Sequence, residues 1–348
     1  MTNISDRKSD HLELAASGNV GYRRSSLLEC VELVHDALPE LDLSAIDTGV
    51  AWLGKPLRMP IVIAAMTGGT ERATRINREL AQLAAERGYA MGLGSQRPML
   101  LDDAAAVSYL VRDVAPGLLL LGNIGAVQAA RLATARVQQL VDRIEADALC
   151  VHLNPAMELA QAEGDSEFSG ILPAIERLVG ELNVPVVVKE TGCGLSASVA
   201  RRLRDVGVRH VDVSGAGGTS WVAVESLRAA GGRAGIGETF REWGIPTAAS
   251  VALCAQCGFC GLIASGGVNS GLDIARALAL GATLAGIARP VLQALQNGGL
   301  TQVHAYFDRV EAELRAAMLL VGARTLGALA NVPRVIHGDL ERWLKTCS

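Results

Sequence analysis

Residues 185–192 read Pro185-Val186-Val187-Val188-Lys189-Glu190-Thr191-Gly192: a run of valines, then a charged pair, then Thr-Gly. An uninterrupted apolar run of this kind suits a strand buried on both faces, as in a parallel sheet. It ends on an ammonium, which is costly to leave buried and unpaired, so the C-terminal end of the strand must open on something that uses the charge. The same pattern recurs on both sides of it. Apolar or β-branched runs lie at 60–66, 89–95, 118–125, 148–154, 185–191, 210–215, 261–267 and 282–290. Between them, stretches of helical period lie at 72–87, 103–114, 126–145, 171–182, 196–206, 246–257 and 271–280, and residues from 291 onward close the set. Eight strand–helix units in about 230 residues make an α/β chain, a (β/α)8 TIM barrel.

An open doubly wound sheet is the alternative, but it concentrates its glycine fingerprint at the first strand–helix turn. Here the polar and glycine residues sit at the end of nearly every run. They occur as Met66-Thr67-Gly68-Gly69, Gly94-Ser95-Gln96-Arg97, Gly122-Asn123-Ile124-Gly125, His152-Leu153-Asn154, Ser214-Gly215-Ala216-Gly217-Gly218, Ser265-Gly266-Gly267 and Ala288-Arg289-Pro290. A barrel builds its active site from those ends. The expected plan is one domain over 1–348: an extension over 1–59, the strand–helix units over 60–290 and C-terminal helices over 291–348. Long segments at 154–170 and 215–244 fall on the active-site side, where lids and binding loops occur.

Composition narrows the partners. Half of the 348 residues are hydrophobic and only 3% are aromatic, which leaves little for stacking on nucleic acid. The net charge is −4 with basic residues scattered, so neither nucleic acid nor an acidic membrane surface is expected as a partner. No apolar run approaches the roughly 18 residues of a membrane span. Seven cysteines without an export signal suit free thiols and a cytoplasmic location. Cys254, Cys257 and Cys260 have the spacing of a partial Fe–S set, but they fall at a helix end and a strand edge, where they would face different ways as packing residues.

The strand ends carry the chemistry. Residues 214–220 and 265–267 offer backbone N–H groups and hydroxyls to an anion, and a phosphate fits there. Lys189 can neutralise an anionic ring or intermediate, with a pair to Glu190 as the structural alternative. His152 and Asn154 lead into Met157, Glu158 and the Glu163-Gly164-Asp165 turn, an acidic loop suited to Mg2+ beside a phosphate. Arg7, Lys8 and His11 are a basic cluster in an N-terminus expected to be unstructured.

Taken together, Arg7-Lys8-Ser9-Asp10-His11, Met66-Thr67-Gly68-Gly69, Gly94-Ser95-Gln96-Arg97, His152-Leu153-Asn154, Glu163-Gly164-Asp165, Lys189-Glu190, the run from Val213 to Trp221 and Ala264-Ser265-Gly266-Gly267 resemble the type 2 isopentenyl diphosphate isomerases, in order along the chain. The resemblance implies an FMN-linked barrel that interconverts isopentenyl and dimethylallyl diphosphate, with Mg2+ and with NADPH as flavin reductant. It implies that Ala65, Met66, Thr67, Ser95, Asn123 and Lys189 line the isoalloxazine and ribityl chain. Ser214, Thr219, Gly267, Asn269, Ala288 and Arg289 would approach the FMN phosphate. Arg7, Lys8, His11, Arg97, His152, Asn154 and Met157 would face the diphosphate substrate, and Glu158 would hold Mg2+. His152, Asn154, Met157 and Lys189 are the catalytic candidates, and a homo-tetramer or octamer is implied.

The sequence departs from that pattern twice. Met157 stands where the family has Gln, and a thioether is a weak acceptor with no proton to exchange. Asn269 stands where the family has Arg, which removes a bidentate phosphate contact. Met157 therefore keeps open an alternative, a divergent FMN enzyme acting on a prenyl diphosphate or related phosphate by another reaction. A flavin-dependent 2-hydroxy-acid oxidase would want a histidine base near the ends of the sixth to eighth strands, whereas His210 begins its strand.

Overall fold

The computed structural model describes residues 4–228 and 232–347. Eight parallel strands close into a barrel: β1 (Ile61–Ile63), β2 (Ala90–Gly92), β3 (Leu119–Gly125), β4 (Ala148–His152), β5 (Val186–Lys189), β6 (His210–Asp212), β7 (Gly261–Ser265) and β8 (Leu284–Ile287). Each pairs with the next, and β8 pairs with β1, so the barrel leaves no free edge. Every expected strand is present; β3 runs to Gly125 as expected, and the other seven stop short at their C-terminal ends, where the chain turns into the loops of the mouth.

Outer helices cover the barrel, and their starts are set by local chemistry. Helix α2 (Glu71–Arg87) follows β1; Thr70 Oγ1 accepts from Ala73 N at 3.1 Å at its start, and Gly88 ends it in the left-handed conformation. Later helices are α3 (Ala126–Arg131), α4 (Thr134–Arg143), α5 (Pro155–Ala160), α6 (Ile171–Glu181), α7 (Ala197–Asp205), α8 (Trp221–Arg228), α9 (Gly232–Thr239), α10 (Thr247–Ala255), α11 (Gly271–Ala279) and α12 (Arg289–Leu320), which kinks at Gly298-Gly299. The two long segments thus hold α5 and the pair α8–α9.

Three sequence expectations are corrected. The N-terminus is a helix, α1 (Ile4–Ser17), whose Leu12, Ala15 and Ala16 are buried; its apolar face outweighs the local charge. The stretch at 103–114 forms a 3₁₀ turn at Asp103–Tyr109, started by Asp102, whose carboxylate accepts from Ala104 N. The segment at 126–145 breaks into α3 and α4, because Leu132 and Ala133 are extended.

The barrel interior splits into two zones. Its lower part is an apolar plug: Val62, Ala90, Leu119, Leu121, Ala148, Cys150, Val187, Ile263 and Leu284 pack with Trp52 and Leu57. Those last two come from a hairpin, Val50–Trp52 with Lys55–Leu57, that closes the N-terminal end. Trp52 Nε1 donates to His210 Nδ1 at 3.3 Å, and Lys55 pairs with Asp147 at 2.7 Å, so the stopper is fastened to β6 and to the turn before β4. Among the described residues the cysteines are free thiols; Cys254 and Cys257 are core and Cys260 is exposed, so they do not converge. No helix of the described chain is long and apolar enough to cross a membrane.

Candidate active site

Inward-facing residues alternate along a barrel strand, so the position two beyond each plug residue also faces in, one layer higher. That step turns the wall polar: Leu121 gives way to Asn123, Cys150 to His152, Val187 to Lys189, His210 to Asp212 and Ile263 to Ser265. On the remaining strands it leads to the small residues Gly286, Ala64 and Gly92. A polar arc on β3–β7 thus faces a small-residue arc on β8, β1 and β2. A cavity of about 480 Å³ opens above them.

The polar arc is held in fixed pairs. Asn123 Nδ2 donates to Leu93 O at 3.0 Å, which leaves its Oδ1 to accept from His152 Nδ1 at 2.8 Å. The ring is thereby fixed with a proton on Nδ1 and a lone pair on Nε2. Burial, with Lys189, Lys8 and Arg97 nearby, pushes the imidazole down to about 3, so it is neutral at pH 7. Asp212 Oδ1 accepts from Ser265 Oγ at 2.6 Å and from Ser214 N at 3.1 Å. Lys189 Nζ donates to the backbone carbonyl of Glu190, not to its carboxylate. The Glu190 side chain turns the other way and accepts from Thr191 N and Cys193 N, while burial pushes it up to about 7.

One end of the cavity is a glycine cradle. A Cβ on Gly218 would come within 2.5 Å of Gly267 N, and one on Gly266 within 2.1 Å of Gly215 O, so the loops after β6 and β7 mesh only without side chains. Among the described residues, the N–H groups of Gly217, Gly218 and Gly267 donate to no backbone carbonyl. Such unspent donors suit an anion. Ser214, Thr219 and Ala288 also line this end.

The other end is cationic. Helix α1 lies across the mouth and brings Arg7, Lys8 and His11 beside Arg97. Lys8 Nζ donates to Ser95 O at 3.1 Å; burial and then Arg7 push its ammonium down to about 7. Burial and then Arg97 lower Arg7, whose Nε is buried without a hydrogen bond. His11 is spent on anchoring: its Nε2 meets Glu225 Oε1 at 2.6 Å, Glu225 Oε2 accepts from Arg228 at 2.9 Å, and Arg228 reaches Asp10 at 3.1 Å. This network ties α1 to α8.

Glu158 is buried below the cations, with Asn154 Nδ2 on one carboxylate oxygen and Asp165 N on the other, both at 2.8 Å. Met157 lines the cavity with its sulfur 4.0 Å from Asn154 Nδ2.

The cavity gathers nearly all of the residues expected at the site, including Ala65, Met66, Ser95 and Gly267. Three sit differently from expectation. Thr67 is buried behind the wall, its carbonyl accepting from Gly94 N. Arg289 borders the cavity but donates to Ala15 O and Gly18 O at the end of α1, at 2.9 and 2.8 Å. Asn269 spends its amide on Gly267 O at 3.0 Å. The sequence reading missed Asp212, Gln128 and Tyr22. Asp212 had a signal, a carboxylate inside an otherwise apolar strand; Tyr22 had none.

Comparison with known proteins agrees with this geometry. Residues 156–333 match the FMN-dependent dehydrogenase family. An isopentenyl-diphosphate delta-isomerase of Halobacterium salinarum is 46% identical over 99% of this chain and 97% of its own, and one of Pyrococcus abyssi is 43% identical over 97% and 94%. A lactate oxidase of Pediococcus acidilactici superposes with a TM-score of 0.69 at 16% identity, covering 97% of this chain and 95% of its own. Mandelate oxidase gives 0.63 at 19%, covering 97% and 99%. At such identities the oxidases share the fold alone. The fold and the mouth define an FMN-linked (β/α)8 enzyme. Within that class, the chain belongs to the type 2, FMN-dependent isopentenyl-diphosphate delta-isomerase family.

Proposed function

We propose that this protein interconverts isopentenyl and dimethylallyl diphosphate at the barrel mouth, with reduced FMN as acid–base cofactor, Mg2+ as metal and NADPH as the flavin reductant. The observation that carries the reading is one cavity with two anion-binding ends, the glycine cradle and the Arg7–Lys8–Arg97 cluster, with the polar arc between them. That arrangement suits two phosphate-bearing molecules side by side. The shared name of the relatives supplies the reaction. Cytoplasmic location and assembly into a homo-tetramer or octamer complete the proposal.

The residues fit the flavin. The unspent N–H groups of Gly217, Gly218 and Gly267 would take its phosphate, and the small residues Gly286 and Ala64 leave space for a flat ring. Ala65, Met66, Ser95, Asn123 and Lys189 would border that ring. Bound reduced FMN supplies a ring nitrogen that can give and take the proton of the allylic shift. The protein's own groups do the rest. Lys189 places positive charge beside the ring. Arg7, Lys8 and Arg97 would hold the diphosphate, whose negative charge would favour the ammonium form of Lys8. Asn123 keeps the His152 Nε2 lone pair facing the cavity, as an acceptor for a donor on the ligands. Glu158, positioned by Asn154, would hold Mg2+ jointly with the substrate, since that ion needs few protein ligands. Helix α1 keeps bulk water out, and Met157 offers the alkyl end an apolar contact.

Incubating the purified protein with FMN, Mg2+, NADPH and isopentenyl diphosphate should give dimethylallyl diphosphate by NMR. No turnover, with diphosphate binding retained by calorimetry, would sink the proposal. Met157→Gln is expected to raise kcat/KM severalfold. A variant that isomerises while the natural chain does not would favour the divergent reaction.

A further inference from the structure

Burying a carboxylate inside a barrel is costly unless its bonds and charge are used. Asp212 is 5% exposed and faces inward on β6, in register with Lys189 on β5. Its Oδ1 reaches both ways along the mouth. It accepts from the Ser265 hydroxyl on β7 at 2.6 Å, and from Ser214 N, two residues further along its own chain, at 3.1 Å. The second contact closes an Asx-type turn. Ser214 sits there at φ 38°, a left-handed conformation that a non-glycine residue adopts only when its surroundings impose it. The Ser214 carbonyl then accepts from Gly192 N and Gly194 N, at 2.9 and 3.1 Å, which joins the turn to the end of β5. The ends of β6 and β7 therefore meet on one carboxylate, and the loop after β5 joins them through the Ser214 carbonyl.

The charge of Asp212 acts on the same place. Burial raises its pKa, and Lys189 is the largest influence opposing that rise. Cys150 feels both groups with opposite sign, so the ammonium and the carboxylate act on a common region of the arc. Glu190 also feels Lys189, but its carboxylate is taken by Thr191 N and Cys193 N and makes no bond to Ser214 or Ser265, so it does not set the turn as Asp212 does.

We propose that Asp212 is a positioning residue of the flavin site: its hydrogen bonds set the phosphate cradle, and its negative charge tempers the field that Lys189 exerts on the flavin ring. The proposal rests on the FMN reading. Asp212 touches neither substrate nor cofactor in it; it acts through Ser214, Ser265 and Lys189.

Asn at 212 keeps an oxygen acceptor and removes the charge. Asp212→Asn should bind FMN within about threefold of the natural protein, but its flavin potential should move positive. Its affinity for sulfite, which adds to the flavin ring and places negative charge there, should rise about tenfold, the scale of one nearby charge in a protein interior. Asp212→Ala removes the bonds as well and should weaken FMN binding at least about tenfold. Ser265→Ala keeps the charge and removes one bond, so FMN affinity should fall about fivefold while sulfite affinity stays within about twofold. If Asp212→Asn leaves potential and sulfite affinity unmoved, or Ser265→Ala leaves FMN affinity unmoved, the proposal is overturned. Should the Asp212 variants not fold, the Ser265→Ala measurement alone decides. Failure of the natural protein to bind FMN would instead overturn the FMN reading.

Discussion

The same eight strands make two interiors. At the bottom, Leu119, Ala148, Val187 and Leu284 form a plug above Trp52; one layer up, Asn123, His152, Lys189, Asp212 and Ser265 form a polar arc. The two inward histidines sharpen the contrast. His210 begins β6 and only accepts a bond from Trp52, whereas His152 ends β4 with its ring nitrogens assigned by Asn123. Both are pushed down by burial, so a shifted titration does not distinguish a structural histidine from a functional one. Position along the strand does.

The contrast can be broken at the top first. Lys189→Met removes the arc's ammonium and should lower kcat on the order of 10³-fold, the scale for losing a preorganised charge or donor, while thermal unfolding changes little. An isomerisation assay beside a melting curve checks both; a small kcat effect would remove Lys189 from the mechanism. At the bottom the reverse is expected. Trp52→Ala should cost about 3 kcal/mol of stability in urea unfolding, with kcat per folded molecule unchanged. A kcat loss comparable to that of Lys189→Met would mean that the layers are not separable.

The smallest effect is a pH slope. The His152 pKa falls from its ordinary 6.5 to about 3 on folding. Between those values the unfolded chain binds a proton that the folded chain does not, so this group destabilises the fold as pH falls below 6.5 and contributes no slope above it. His152→Asn should remove roughly 1.4 kcal/mol of acid destabilisation per pH unit across that window. Denaturant midpoints of both proteins at pH 6.5 and pH 5 test it; parallel shifts would show that the ring is not held neutral.

Much of this was legible in the sequence because barrel strands announce themselves twice, by an apolar run and by the polar residues that close it. The Lys189, His152 and Ser265 strand ends were readable for that reason. Helix α1 was not: Arg7, Lys8 and His11 made it look like a solvated tail, and only its docking buries Leu12 and Ala15. Asp212 breaks its apolar strand visibly, but nothing local shows what the carboxylate is for, since its donor Ser265 lies 53 residues away. Arg289 was matched to a phosphate, yet its guanidinium binds the end of α1, a contact between residues far apart in the chain. The fold depends on local pattern, and the site depends on which pattern-breaking residues the closure brings together.

The Trp52 stopper has one more consequence. A vessel sealed at its base has a single doorway, and here α1 lies across it. On the proposed function, flavin, substrate and product all share that doorway, and none can pass through the floor. A diphosphate held by Arg7, Lys8 and Arg97, beside α1 at the doorway, should slow the departure of the flavin.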